Sequence, residues 1–394
     1  MTANPIGLFI MGQGVSGAQR TTLLDHVTKA NYKTVSVLDD FGLCVEIKNR
    51  LPDCVVIYRS SDFEPKAGPL AVNYLITFLN GIQAQDKRIV VMVNCEQGFD
   101  LDRVAMWSDM VIQADKMGWK LCVGNVSSGS VKCGQGSDQN DWFIMGARLL
   151  QTLAAHKGHY LGWHEYTFPF PWSVSNGEFG TPDKPPDKID WTKPQYHIGR
   201  NVQGIQNACK ALKIDYPQCI ATETLIDTMG DITAHFGYKA DGYKTLTSKW
   251  AEWFPGKDRG DVLADFHIWV WEHVYAPAGF VIGTHTYCYG NAGNNPQWAD
   301  YQVDNDAHYL TRMESYRSIP APVVLPAPAP PIVTPPPVEA KPPEPPVIVP
   351  DPASKRAQLQ QRLVITQQAR QLVIDLLQKE IDELIAQLKQ DQAA

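Results

Sequence analysis

The stretch Ile6-Gly-Leu-Phe-Ile-Met11 runs directly into Gly12-Gln-Gly14-Val-Ser-Gly17. An amphipathic segment, Ala18–Ala30, comes next, and then a second apolar run, Thr34-Val-Ser-Val-Leu38. Apolar run, glycine turn, helical pattern and apolar run make a β-α-β unit. A strand that is apolar throughout, without alternation, suits a parallel sheet covered on both faces. The turn has the form GxGxxG, and Asp39 and Asp40 end the next strand. That is the context of a dinucleotide-binding loop, in which glycines let the backbone approach a pyrophosphate at a helix N-terminus. The same letters also describe a glycine-rich βα turn of a barrel. The number of β-α units in the rest of the chain separates these two readings.

The unit repeats. Further strand patterns lie at Cys54–Tyr58, Ile89–Val93, Lys120–Gly124, Tyr160–His164, Cys219–Glu223 and Phe280–His285, which with Gly7–Met11 and Thr34–Leu38 makes eight. Helical patterns at Ala71–Gln83, Leu101–Met117 and Asp141–His156 separate several of them. Eight such units in about 318 residues fit a (β/α)₈ TIM barrel, whose range is roughly 200 to over 400 residues. They leave no second domain large enough to hold a substrate against a bound dinucleotide. The chain therefore reads as a barrel over 1–318, a Pro-rich extended linker over 319–353 and a long amphipathic, coiled-coil-like helix over 354–394. Roughly half of the 29 prolines fall in that linker, which must be extended because proline has no N–H to donate. In the last segment Ile374, Leu377, Ile381, Leu384 and Leu388 keep 3-4-3-4 spacing. Such a seam points to self-association or to a helical partner through 354–390.

Composition removes several functions. The net charge is -7, which is not the surface of a nucleic-acid binder. No segment has the ~18 apolar residues of a membrane span, and Met1–Asn4 lacks the basic start of a secretory signal. The expected location is cytoplasmic, or on a particle released by lysis such as a virion. The 8 cysteines show no CxxC spacing, and most lie in or beside apolar runs, where a reduced thiol acts as a small hydrophobe. HExxH, GxSxG and GxxxxGK[ST] are all missing, so no metal and no cofactor is expected.

Chemistry in a barrel sits where the strands end. Strand four ends Asn94-Cys95-Glu96 and strand seven ends Thr222-Glu223. Alternation puts Asn94 and Glu96 on one face of strand four. It puts His164 and Tyr166 on one face of strand six, with Glu165 on the other. Two carboxyls brought to one cleft from different strands are what glycoside hydrolysis requires, one to protonate the leaving oxygen and one to attack the anomeric carbon. The aromatic group Trp163, Phe168, Phe170, Trp172 and Trp191 could stack on sugar rings or pack a loop of its own.

With these residues the chain resembles the clan A glycoside hydrolases, barrels with an acid/base Glu after strand four and a nucleophile Glu after strand seven. Glu96 matches the first and Glu223, in the segment TETLID, the second. The segments VGNVSSG (123–129) and GWHEYTFP (162–169) are similar to strands five and six of such barrels. The resemblance implies a retaining hydrolase acting on an oligosaccharide or polysaccharide, with Glu96 protonated at rest and its pKa raised. It further implies that His164 or Tyr166 touches the nucleophile. Candidate substrate contacts are Asn94, Asn125, Trp163, His164, Tyr166, Trp172, His285 and Tyr287, with Arg59 as a charge partner and Glu165 as a reserve acid. In two places the sequence departs from the clan. Cys95 separates Asn94 from Glu96, and strand eight carries His285, Tyr287 and Tyr289 instead of a Trp. A non-catalytic glycan-binding or virion-mounted structural barrel is therefore the alternative, and a nucleotide-binding protein built on Gly12–Gly17 the second.

Overall fold

The computed structural model describes residues 3–68, 70–82, 85–96, 98–127, 130–133, 140–167, 199–226, 243–246, 255–290 and 299–317. Expectations that concern Phe168, Phe170, Trp172, Trp191, Trp250, Trp253, the linker and the C-terminal helix lie outside these residues.

Eight parallel strands close into a barrel in sequence order. They are β1 (Ile6–Met11), β2 (Thr34–Leu38), β3 (Val55–Arg59), β4 (Val90–Met92), β5 (Lys120–Val126), β6 (Tyr160–Thr167), β7 (Gln218–Ile226) and β8 (Val281–Tyr289). The outer helices include α1 (Gly17–Ala30), α2 (Phe41–Arg50), α3 (Ala71–Gly81), α4 (Leu101–Lys116), α5 (Asp141–Ile144), α6 (Ala147–Ala155), α7 (Arg200–Leu212), α8 (Arg259–Val270) and α9 (Ala307–Ser315). The helical pattern Asp141–His156 is divided in two. At Gly146 a Cβ would lie 2.9 Å from the Trp142 carbonyl oxygen and 3.1 Å from the Phe99 ring, so the break holds the chain against its neighbours.

Closure settles the reading of Gly12–Gly17. A dinucleotide fold is an open sheet that binds at a reversal of strand order, and a closed barrel has no such crevice. Gly12 is needed for packing, because a Cβ there would fall 2.5 Å from that of Asp40 and 2.6 Å from the Leu38 carbonyl oxygen. The two acidic residues are committed locally. The Asp40 carboxylate accepts from the Leu43 amide, capping α2, and pairs with Arg20. Asp39 accepts from the amide and hydroxyl of Ser61.

Two apolar layers form. Outward residues of the strands pack on the helices in one continuous core. Inward residues Ile57, Val90, Met92, Cys122 and Ile220 fill the barrel as a separate cluster. Alternation along β3 then explains the site. Val55 and Ile57 face the interior, and Arg59, two residues on, brings a guanidinium to the rim.

Interruptions of the ladder, among them shifts in the β7–β8 pairing, shape the rim. Between β5 and β6, Gly124 pairs with Gly162 and Val126 with Trp163, leaving Asn125 as the extra residue. Between β6 and β7, Ala221 pairs with Trp163 and Glu223 with His164, leaving Thr222. Between β1 and β8, Phe9 pairs with Tyr287 and Ile10 with Tyr289, leaving Cys288. Bulges of this kind re-aim the side chains beyond them.

Candidate active site

Glu223 is the centre of a polar cluster at the C-terminal mouth of the barrel. After Ile220, which faces the interior, strict alternation would send Glu223 outward, but the extra residue Thr222 shifts the phase and turns it in. The Thr222 hydroxyl donates to Asn125 Oδ1 at 3.0 Å and to the Trp163 carbonyl at 3.2 Å, so the bulges of β5 and β7 are tied to each other. Gly162 makes room for this tie, since a Cβ there would lie 2.0 Å from Asn125 Oδ1.

The Glu223 side chain is 5% exposed and each of its oxygens is engaged. Arg59 Nη1 donates to Oε1 at 3.3 Å, and the Tyr166 hydroxyl donates to Oε2. His164 Nδ1 stands 3.3 Å from Oε2 and, at the same time, 3.2 Å from Glu96 Oε1. Two contacts to one nitrogen limit the gap between the two carboxylate oxygens to the sum of those distances. That sum is the lower edge of the ~6.5–9.5 Å of an inverting pair, and the ~5–5.5 Å of a retaining pair lies inside it. His164 is fully buried, whereas the Glu96 side chain is 51% exposed and opens to solvent.

Glu96 is not held as a neutral acid. The hydrogen bond from His164 outweighs the burial of Glu96 and lowers its carboxyl pKa, the opposite of the expected rise. The raised carboxyl in this cleft is Glu64, which no sequence pattern singles out. Partial burial raises it, against the pull of Arg59 and of two amide donors. Its Oε2 accepts from the Cys95 amide at 3.1 Å and lies 3.4 Å from Asn94 Nδ2, and its Oε1 is 3.8 Å from Arg59 Nη2. Glu64 belongs to the loop after β3, where no strand pattern draws attention to it. Its one signal is its place five residues beyond Arg59, on the side of the barrel where loops converge.

Alternation fails at the end of β4. The strand stops at Met92, and the backbone turns left-handed at Asn94 (φ 62°) and again at Glu96 (φ 49°). Asn94 and Glu96 therefore part. Asn94 is buried, donates to the Pro65 carbonyl at 2.8 Å and accepts from Trp107 Nε1 at 3.2 Å, which fixes the neighbouring loop. Cys95 between them is drawn into the cleft, with Sγ 3.8 Å from Glu223 Oε1. It is the one cysteine of the 8 that is not buried, so it is not the small core hydrophobe expected. Loss of water around its sulfur in the cleft, and after that the neighbouring Glu223 carboxylate, push its thiol pKa well up. Cys95, His164 and Glu223 could share a metal ion, since one donor atom of each lies within 4.8 Å of the others.

The other expected residues divide by where their strands point them. Tyr287 joins the cluster, with its ring 6.5 Å from that of Tyr166 and 5.2 Å from Phe9. Asn125 is wholly buried and bound to the Val93 and Cys122 carbonyls, and His285 lies deep in the barrel with Nδ1 2.9 Å from Ser36 Oγ. Trp163 packs behind β6 against Tyr275. Glu165 is not brought to the cleft. Its carboxyl accepts from Tyr275, from the Gly199 amide and from Asn201 at the start of α7. Burial raises its pKa.

No protein-family model matches the chain, and no curated protein matches it. Solved structures similar to it include a family 39 glycoside hydrolase from Bacteroides cellulosilyticus, at 8% identity and TM-score 0.48, over 76% of this chain and 59% of that one. A GH39 enzyme from Xanthomonas axonopodis pv. citri is similar at 9% identity and TM-score 0.42, over 79% and 65%. An endo-β-1,4-mannanase from Thermotoga petrophila is similar at 9% identity and TM-score 0.42, over 80% and 76%. The chain thus spans less than two thirds of the length of the two family 39 proteins.

Proposed function

We propose that the protein is a retaining glycoside hydrolase, with Glu223 as nucleophile and Glu96 as acid/base. The observation that carries this reading is the single nitrogen, His164 Nδ1, in contact with both carboxylates at the mouth of a closed barrel. Arg59 and Tyr166 hold the Glu223 carboxylate by one oxygen each, which orients it for attack on an anomeric carbon. Glu96, the exposed partner, faces the solvent side from which a leaving group departs.

In the first step a Glu223 oxygen bonds to the anomeric carbon and the glycosidic oxygen leaves with a proton from Glu96. In the second, water attacks that carbon, gives its proton to Glu96 and releases Glu223. The lowered pKa of Glu96 is that of the free protein. A glycosidic oxygen entering beside Glu96 competes with His164 for its carboxyl, and the sugar excludes water. Both changes favour the protonated form. Replacing Glu223 with Gln is expected to abolish hydrolysis of activated aryl glycosides while leaving the fold intact. Full activity in that variant would remove Glu223 from the nucleophile role.

One observation favours a second reading. The hydrogen bond from His164 holds the Glu96 carboxyl below its ordinary range and Asn94 is consumed by its own loop, as in a barrel that binds glycan without cleaving it. In that case the wild-type chain and Glu223→Gln would bind a glycan equally and neither would turn it over.

A further inference from the structure

We propose that the mouth of the barrel is also a binding site for a soft divalent cation such as Zn²⁺, held by Cys95 Sγ, His164 Nδ1 and a carboxylate oxygen of Glu223. The inference goes beyond the hydrolase reading and stands on the donor set itself. One donor atom from each residue lies within 4.8 Å of the other two. His164 Nδ1 is 3.3 Å from Glu223 Oε2, and Cys95 Sγ is 3.8 Å from the other oxygen of that carboxylate, Oε1. Zinc bonds of ~2.3 Å to sulfur and ~2.0–2.2 Å to nitrogen and oxygen put tetrahedral ligand atoms roughly 3.4–3.6 Å apart. Separations of no more than 4.8 Å bring the three donors within reach of such a site by side-chain adjustment, without rearrangement of the strands. Glu96 Oε1 lies 3.2 Å from the same nitrogen, so a further carboxylate borders the three donors.

Charge and softness agree with the geometry. Among the described residues the cleft sets the carboxylates of Glu64 and Glu223 on the guanidinium of Arg59 and that of Glu96 on His164, which leaves a surplus of negative charge for a dication. A thiolate with an imidazole selects zinc over magnesium or calcium. Cys95 is also the one cysteine that an ion could reach, the other seven being buried. On binding, the thiol proton passes to the buffer and sulfur takes the metal, while the imidazole proton moves from Nδ1 to Nε2. No electron is transferred. An ion so placed occupies the nucleophile, so it would inhibit hydrolysis. That consequence alone depends on the hydrolase reading.

The test is a Co²⁺ titration of the full untagged chain, reduced, followed by absorption. The expected result is one ion per chain with a thiolate-to-cobalt band in the near ultraviolet, displaced by Zn²⁺ and missing from Cys95→Ser. Alkylation of wild-type protein by iodoacetamide gives a second measure without any variant, in which saturating Zn²⁺ should slow modification of Cys95 at least about tenfold. A cobalt band that survives in Cys95→Ser, or a Cys95 alkylation rate unchanged by Zn²⁺, would overturn the proposal. Neither readout needs turnover, so an inactive protein that binds metal leaves this inference standing, and an active one that does not bind removes it alone.

Discussion

At the residue scale the site turns on which partner His164 serves. Its Nδ1 lies between Glu96 and Glu223, and in the proposed mechanism Glu96 gives up that contact to a glycosidic oxygen. The proposed acid step therefore costs most where the leaving group needs a proton. Replacing Glu96 with Ala is expected to slow hydrolysis of poor leaving groups by roughly 10²–10⁴-fold, the usual size of a general-acid contribution. Activated aryl glycosides should lose far less, and added azide should partly restore them. Steady-state rates on the two substrate types check this, and equal losses would assign the proton to another group, Glu64 being the nearest raised carboxyl.

At the scale of elements, the barrel mouth is made by irregularity. Left-handed, non-glycine backbone occurs at Asp39, Asn94, Glu96 and Asn125, all just after or late in β2, β4 and β5, while Asn31 and Lys213 end helices. Such conformations cost of order 1–3 kcal/mol each and gather where side chains must be aimed. This explains what the sequence could show. Apolar runs and helical periods repeat along the chain, so all eight strands, and the strand ends that carry His164, Tyr166 and Glu223, are legible in it. Period-2 counting also places Glu165 away from His164. It cannot foresee the extra residues Asn125 and Thr222, since a bulge leaves no mark on composition. Nor does it foresee the left-handed turns after β4, so it mistakes the surroundings of Asn94 and Asn125, passes over Glu64 and takes Cys95 for a core hydrophobe. The seam between β5 and β7 makes a prediction of its own. Gly162→Ala puts a methyl group against Asn125 Oδ1 and is expected to destabilise the fold by about 1–3 kcal/mol, as overpacking does. Urea unfolding measures it, and a variant as stable as wild type would show that the bulges are not locked together.

At the scale of the whole molecule, the described fold closes between β1 and β8 and is finished by α9 at Ser315. The Asn4 side chain donates to the Met313 carbonyl, so the start of the barrel is tied to its last helix. Residues 1–318 are accordingly expected to fold as a unit with unchanged thermal stability when 319–394 are removed. The 374–388 seam is expected to associate copies of the full chain. Light scattering of both forms at micromolar concentration checks this, with the short form a monomer and the full chain larger. A monomeric full chain would remove self-association, and an unfolded 1–318 would show that the barrel depends on the tail.

In the proposed mechanism Glu223 forms a bond to sugar, and trapping that bond is the decisive experiment. A panel of 2-deoxy-2-fluoro glycosides with activated leaving groups would be incubated with the protein, and the tryptic peptides weighed. The account predicts that the sugar that reacts adds its mass to the peptide spanning residues 214–239, whose one glutamate is Glu223. An adduct on Glu96 or Glu64, or glycan hydrolysis that proceeds with inversion and leaves no adduct at all, would contradict it.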